Sequence, residues 1–134
     1  MKLLDSSVLI DIDRGNNPEK IAKLDDEGRH CISIVSVTEL LTGLEKSKRK
    51  VSKEKRENME LFLSRFKILE IDWPTAVNAS KIIGHLSGEG NSLNDLHDIY
   101  IASTARKEEL TVLTSNVSHF ERIPELNVVD WQNY

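Results

Sequence analysis

Short apolar segments alternate with stretches of helical periodicity along this chain, and that alternation constrains its fold more than any other feature. Residues 2–4 (KLL), 30–35 (HCISIV), 68–71 (ILEI) and 110–114 (LTVLT) are too short for helices and read as strands. Between them the period changes. Val8, Leu9 and Ile12 give residues 6–13 one apolar face, and RGNNP at 14–18 breaks it. Pro18 suits the first turn of a second helix running to about residue 26, with Ile21 and Leu24 inward. Ser36-Val37-Thr38-Glu39 has the form of a capping box opening a helix that carries Leu40, Leu41 and Leu44. Met59, Phe62, Leu63 and Phe66 mark another amphipathic helix. Asp72 and Pro74 signal a start for one with Ala76, Ala79, Ile83 and Leu86 on its inner face. Residues 88–94 (GEGNSLN) read as a loop, 95–107 as a helix with Ile99, Ala102 and Ala105 inward, and 128–129 as an edge strand. Strands alternating with helices predict a central, mainly parallel sheet covered on both faces, a three-layer α/β/α fold. No repeat or linker divides residues 1–134, so one domain is expected.

In such sheets ligands gather at the carboxyl ends of the strands. The polar residues of interest fall there. Asp5 ends the first strand, Glu39 follows the second, Asp98 opens the last long helix and Asn116 follows the fourth strand. Each has a plain structural alternative. Asp5 and Asn116 suit turns or caps, Glu39 the reciprocal half of its capping box, and Asp98 the positive end of a helix. Taken together they would place three carboxylates and an amide in one pocket, where like charges repel unless a cation lies among them. Oxygen donors, with one cysteine in the chain and no paired histidine spacing, point to Mg²⁺ or Mn²⁺ rather than zinc. A carboxylate-held ion of this kind orients water and stabilises phosphoryl charge.

Composition supports a protein of the cytoplasm. Cys31 alone excludes an internal disulfide framework. No apolar run is long enough to span a membrane, and Asp5 interrupts what would be a leader's apolar stretch. The net charge of −4 hides an uneven distribution. Residues 46–56 (KSKRKVSKEKR) hold seven Lys/Arg and one Glu, a strip of +6 that leaves −10 on the remainder. Such a strip beside an acidic pocket would guide a phosphate backbone, although a solvated helix surface has the same composition.

The strings LLDSSVLID, SVTELLTGL, DIYIASTA and LTVLTSNVSHFERIPEL resemble the PIN-domain ribonucleases, in particular VapC-type toxins of prokaryotic toxin–antitoxin pairs. The resemblance spans nearly the whole chain. It implies a metal-dependent endoribonuclease whose acids fall on Asp5, Glu39 and Asp98, with Asn116 at a fourth position that is often Asp. Asp5 and Asp98 would hold the metal most directly and Glu39 through water. Ser6 and Thr114 match small hydroxyl positions that help place the first acid, the metal or its waters. Asp98 is preferred over Asp95 because it directly precedes the IYIASTA run, which leaves Asp95 as a helix cap. The resemblance also implies an antitoxin partner, an RNA substrate and a homodimer. Lys48, Arg49, Lys50 and Lys53 of the basic strip are the candidate RNA contacts.

Rival readings are weaker. A PIN-like domain that binds RNA or protein without cutting would rest on the neutral Asn116 alone. The D-x-D of Asp11 and Asp13 mimics haloacid-dehalogenase phosphatases but runs into Arg14-Gly15. His30, His85, His97 and His119 show no ligand spacing and read as surface or core residues. No phosphate-cradling glycine loop is present.

Overall fold

In the computed structural model, residues 1–47, 50, 52–89 and 95–134 are described. The strands are β1 (Lys2–Leu4), β2 (Cys31–Ser33), β3 (Lys67–Leu69), β4 (Thr111–Thr114) and β5 (Val128–Asp130). They form one sheet in the order β3-β2-β1-β4-β5, and every pairing is parallel. The edge strand expected at 128–129 is β5. The chain builds outward from β1 to β3, then crosses back to place β4 on the other side of β1. Connections from β1 and β4 therefore leave in opposite directions, which opens a crevice at their carboxyl ends.

Alternation along these strands sends side chains into two cores. Leu3, Cys31 and Val112 face one way, joined by Ala79, Ile82 and Leu86 of α5 (Trp73–Gly88) and by Ile99, Ala102 and Ala105 of α6 (Leu96–Glu108). Leu4, Ile32 and Leu113 face the other way, against Val8, Leu9 and Ile12 of α1 (Ser6–Asp13) and Leu24 of α2 (Pro18–Asp26). Leu40 of α3 (Ile34–Glu45), Leu63 of α4 (Lys53–Leu63) and Trp131 complete that second core. The three-layer α/β/α expectation holds. A short helix α7 (Val117–Glu121) follows β4 and inserts the fully buried Phe120.

Several boundaries follow from local chemistry. Pro18 opens α2, and Asp72 caps α5 by accepting from Thr75 N at 3.0 Å. Gly15 takes a φ of +71° where the RGNNP segment turns the chain out of α1. The expected capping box at 36–39 is a correction. Helix α3 starts at Ile34, because Ser33 Oγ accepts from Val35 N at 3.2 Å and ends the strand early. Ile34 and Val35, expected in a strand, form the first helical turn. Helix α6 also departs from a simple amphipathic pattern. Ile101, Ser103 and Thr104 are buried along with its apolar face, since α6 packs against α5, α3 and the sheet together. The hydroxyls of Ser103 and Thr104 donate to Thr75 O and Tyr100 O, so their burial leaves no unmet donor. Of the expected loop at 88–94, residues 90–94 lie outside the described residues. Among the described residues no helix is long and apolar enough to cross a membrane.

Candidate active site

The acids meet at the crevice between β1 and β4. Asp5 directly follows β1, and its backbone N–H extends the ladder by donating to Leu113 O at 3.0 Å. Asp5 is 4% exposed, and its Oδ2 accepts from Thr114 Oγ1 at 2.8 Å and Ser7 Oγ at 2.9 Å. Each hydroxyl is itself held by backbone just past β4. Ser115 N donates to Ser7 Oγ at 3.1 Å, and Asn116 N donates to Thr114 Oγ1 at 2.9 Å. Asp5 is thus locked by a closed set of bonds between two neighbouring strands.

Glu39 lies in the second turn of α3 and reaches across to α1. Its Oε1 accepts from Ser6 Oγ at 2.8 Å, and Ser36 Oγ lies 3.3 Å from that same hydroxyl. Ser6 therefore places the second acid, while Thr114 and Ser7 place the first. With α3 opening at Ile34, Glu39 has no part in a capping box, and the plain structural reading of it falls. Burial pushes its carboxyl above the usual range, opposed by the Ser6 hydroxyl and by His97 and reinforced by the charges of Asp5 and Asp95.

Asp98 occupies the first turn of α6 and is 7% exposed. Its pKa is pushed up to about 6, first by burial and then by the charge of Asp95; the bond from His119 opposes this, and Asp5 adds to it. Asp95 is the α6 cap, as expected, with Oδ1 accepting from His97 N at 2.8 Å. Asn116 caps α7 without a side-chain bond, and its exposed amide stands at the rim beyond Thr114. Asp5 thus acts electrostatically on both Glu39 and Asp98, while Asn116 meets this set through its backbone N–H on Thr114 alone.

Two histidines read in sequence as ordinary surface or core residues also belong here. His119 Nδ1 is 2.8 Å from Asp98 Oδ2, and His97 Nδ1 is 3.5 Å from Glu39 Oε2. His30, by contrast, is a satisfied core histidine, accepting from Lys2 N at 3.0 Å and donating to Leu24 O at 2.9 Å. Ser7 was missed too. Its signal was the second serine of DSS, one residue past the position expected to matter. Asp11 of the D-x-D accepts from the indole of Trp131 at 3.0 Å and is structural.

The donor set is all oxygen and carries excess negative charge, which suits a hard divalent cation. Among the described residues no three His, Cys, Asp or Glu side chains stand together as a ready cage. Mg²⁺ keeps several waters and needs only one or two protein carboxylates, so Asp5 and Asp98 are the residues that would hold it. A cleft of about 310 Å³ beside Glu39 is lined by Ser6, Ile10, Arg14, Leu40, Leu44 and Met59, among others. A smaller one of about 120 Å³ lies between Asp95, Asp98, Ser118, His119 and Arg122. Of the basic strip, Lys50 and Lys53 are exposed, and Lys53 lies 3.8 Å from Glu57. Lys48 and Arg49 fall outside the described residues.

The chain belongs to the PIN domain family, whose model matches residues 2–126. It is 34% identical over 119 residues to the tRNA(fMet)-specific endonuclease VapC of Salmonella typhimurium, covering 87% of each chain. It is 31% identical over 130 residues to ribonuclease VapC2 of Haemophilus influenzae, covering 96% of each. Its fold matches the DNA-bound VapBC structure from Salmonella typhimurium with a TM-score of 0.83 and 32% identity, over 98% of this chain and 99% of that one.

Proposed function

We propose that this chain is a divalent-metal-dependent endoribonuclease and the toxin of a toxin–antitoxin pair. What supports this best is that Asp5, at the β1/β4 crevice, acts on both Glu39 and Asp98, and each of the three is held by its own donor. Relatives over most of the chain are named ribonucleases or endonucleases, which supports RNA as the substrate.

Asp5 and Asp98 are the residues that would hold Mg²⁺ or Mn²⁺, and Asn116 would add its amide oxygen. The ion, when bound, supplies a Lewis acid for the phosphoryl oxygens and a more acidic water. Thr114 and Ser7 fix the Asp5 carboxylate, so it need not reorganise as charge develops. Glu39, held by Ser6, stands where it orients the attacking water and accepts its proton, which its raised pKa favours. The exposed lysines of the basic strip would hold flanking phosphates by charge.

An antitoxin is the expected protein partner. The cleft beside Glu39, with Ile10, Leu40, Leu44 and Met59 in its wall, offers a docking surface next to the acids. A homodimer and a cytoplasmic location belong to the same reading. The test is cleavage of a mixed RNA pool by the purified chain with Mg²⁺, Mn²⁺ or EDTA. Cleavage with either metal and none with EDTA is expected. Tight RNA binding without cleavage under any condition would favour a non-catalytic module.

A further inference from the structure

His119 supplies the hydrogen bond that the largely buried Asp98 carboxylate needs, and it does so with a side chain that is itself half exposed. Helix α7 is anchored by Phe120, which is fully buried. His119 N donates to Asn116 O at 3.0 Å, and Arg122 Nε donates to His119 O at 3.4 Å. The backbone of residue 119 is therefore fixed from both sides, while its side chain is 52% exposed and that of Asp98 only 10%. A half-exposed imidazole spans this boundary to place Nδ1 on Asp98 Oδ2.

A carboxylate in the first turn of a helix has a competing option, which is to fold back on the free backbone N–H groups. Asp95 already fills that capping role. Facing an ionised carboxylate, Nδ1 must carry the proton, so the imidazole donates and engages one oxygen only.

We propose that His119 is a positioning residue that holds Asp98 Oδ2 and thereby presents Oδ1 to the divalent cation. This rests on the reading of Asp98 as a metal ligand. Partners of this kind commonly change metal affinity about 10- to 100-fold when removed. Asparagine at 119 keeps an N–H donor at the place of Nδ1, whereas alanine does not.

The test is Mn²⁺ binding by the full-length protein, read from the electron paramagnetic resonance signal of the free ion, with thermal melting alongside. Wild type, Asp98→Asn, His119→Ala and His119→Asn are compared. The expected pattern is loss of binding in Asp98→Asn and weakening of about 10-fold or more in His119→Ala. His119→Asn should recover most of that loss and melt close to wild type, whereas His119→Ala should melt lower because a largely buried carboxylate loses its donor. Wild-type affinity in His119→Ala beside a defective Asp98→Asn would overturn the positioning role and leave the metal site standing. Equal losses in His119→Ala and His119→Asn would overturn it too, because the N–H donor would then not matter. Wild-type affinity in Asp98→Asn would remove the metal reading itself, and the role of His119 with it.

Discussion

Thr114 Oγ1 donates to Asp5 Oδ2 at 2.8 Å, joining the carboxyl ends of β1 and β4 through two side chains 109 residues apart. The same oxygen accepts from Asn116 N, so one hydroxyl serves both an acid and the turn that follows β4. Thr114→Val keeps the shape and removes both bonds. It should destabilise the protein by about 1–3 kcal/mol, the cost of a buried group left unmatched, and reduce cleavage. Thr114→Ser should retain both. Urea unfolding and single-turnover cleavage check this; a Val variant as stable and active as the Ser variant would make the hydroxyl dispensable.

Asp98 makes stability depend on pH in a stated direction. Its pKa is about 6 in the fold against 3.8 for the free side chain, so the folded state holds the proton more tightly. Its contribution is fully present below about pH 4 and is lost as pH rises through about 6. In metal-free buffer at pH 7.5, Asp98→Asn should therefore be more stable than wild type, by about 1–2 kcal/mol after allowance for partial solvent screening. The gap should close toward pH 4. Urea unfolding with EDTA at several pH values measures it, and a gap independent of pH would contradict the assignment.

Glu39→Gln separates chemistry from architecture. Gln can still accept from Ser6 Oγ at the position of Oε1, so the fold should stand. It removes the carboxylate that would orient and deprotonate water, a contribution of about 10²–10⁴-fold. Melting and cleavage assays on the same preparation decide this, and retained cleavage would return Glu39 to a packing role.

The basic strip predicts a different signature. Replacing Lys48, Arg49 and Lys50 with Gln should weaken RNA binding irrespective of sequence and flatten its salt dependence by up to about one unit of log–log slope per lost phosphate contact. Turnover at saturating RNA should change little. Unchanged affinity and salt slope would make the strip a solvated surface, which the exposed pairing of Arg56 with Glu45 illustrates.

The layers of the fold were legible because period decides them. Val8, Leu9 and Ile12 placed α1 at its observed bounds, and Pro18 and Asp72 opened helices where their chemistry requires. The start of α3 was not legible. Ser33 and Ser36 are both good caps, and only the end of the strand pairing with β3 selects the first. Ile101 escaped notice because α6 is enclosed on several sides, and periodicity reveals a buried face only when the opposite face is wet. The places of Asp5 directly after β1 and of Asp98 in the first turn of α6 were legible from the pattern alone. His97 and His119 were not, since each reaches its carboxylate across a tertiary contact that no local spacing records.

The central claim is that these acids are placed for chemistry at the expense of mutual repulsion. Asp5→Asn tests it most directly, with RNA cleavage in Mn²⁺ and thermal melting measured on one preparation. The expected result is a protein that melts no lower than wild type and cleaves at least about 100-fold more slowly, more than the typical effect of losing a ligand's supporting partner. Near-normal cleavage by a folded Asp5→Asn variant, or its failure to fold, would contradict the claim.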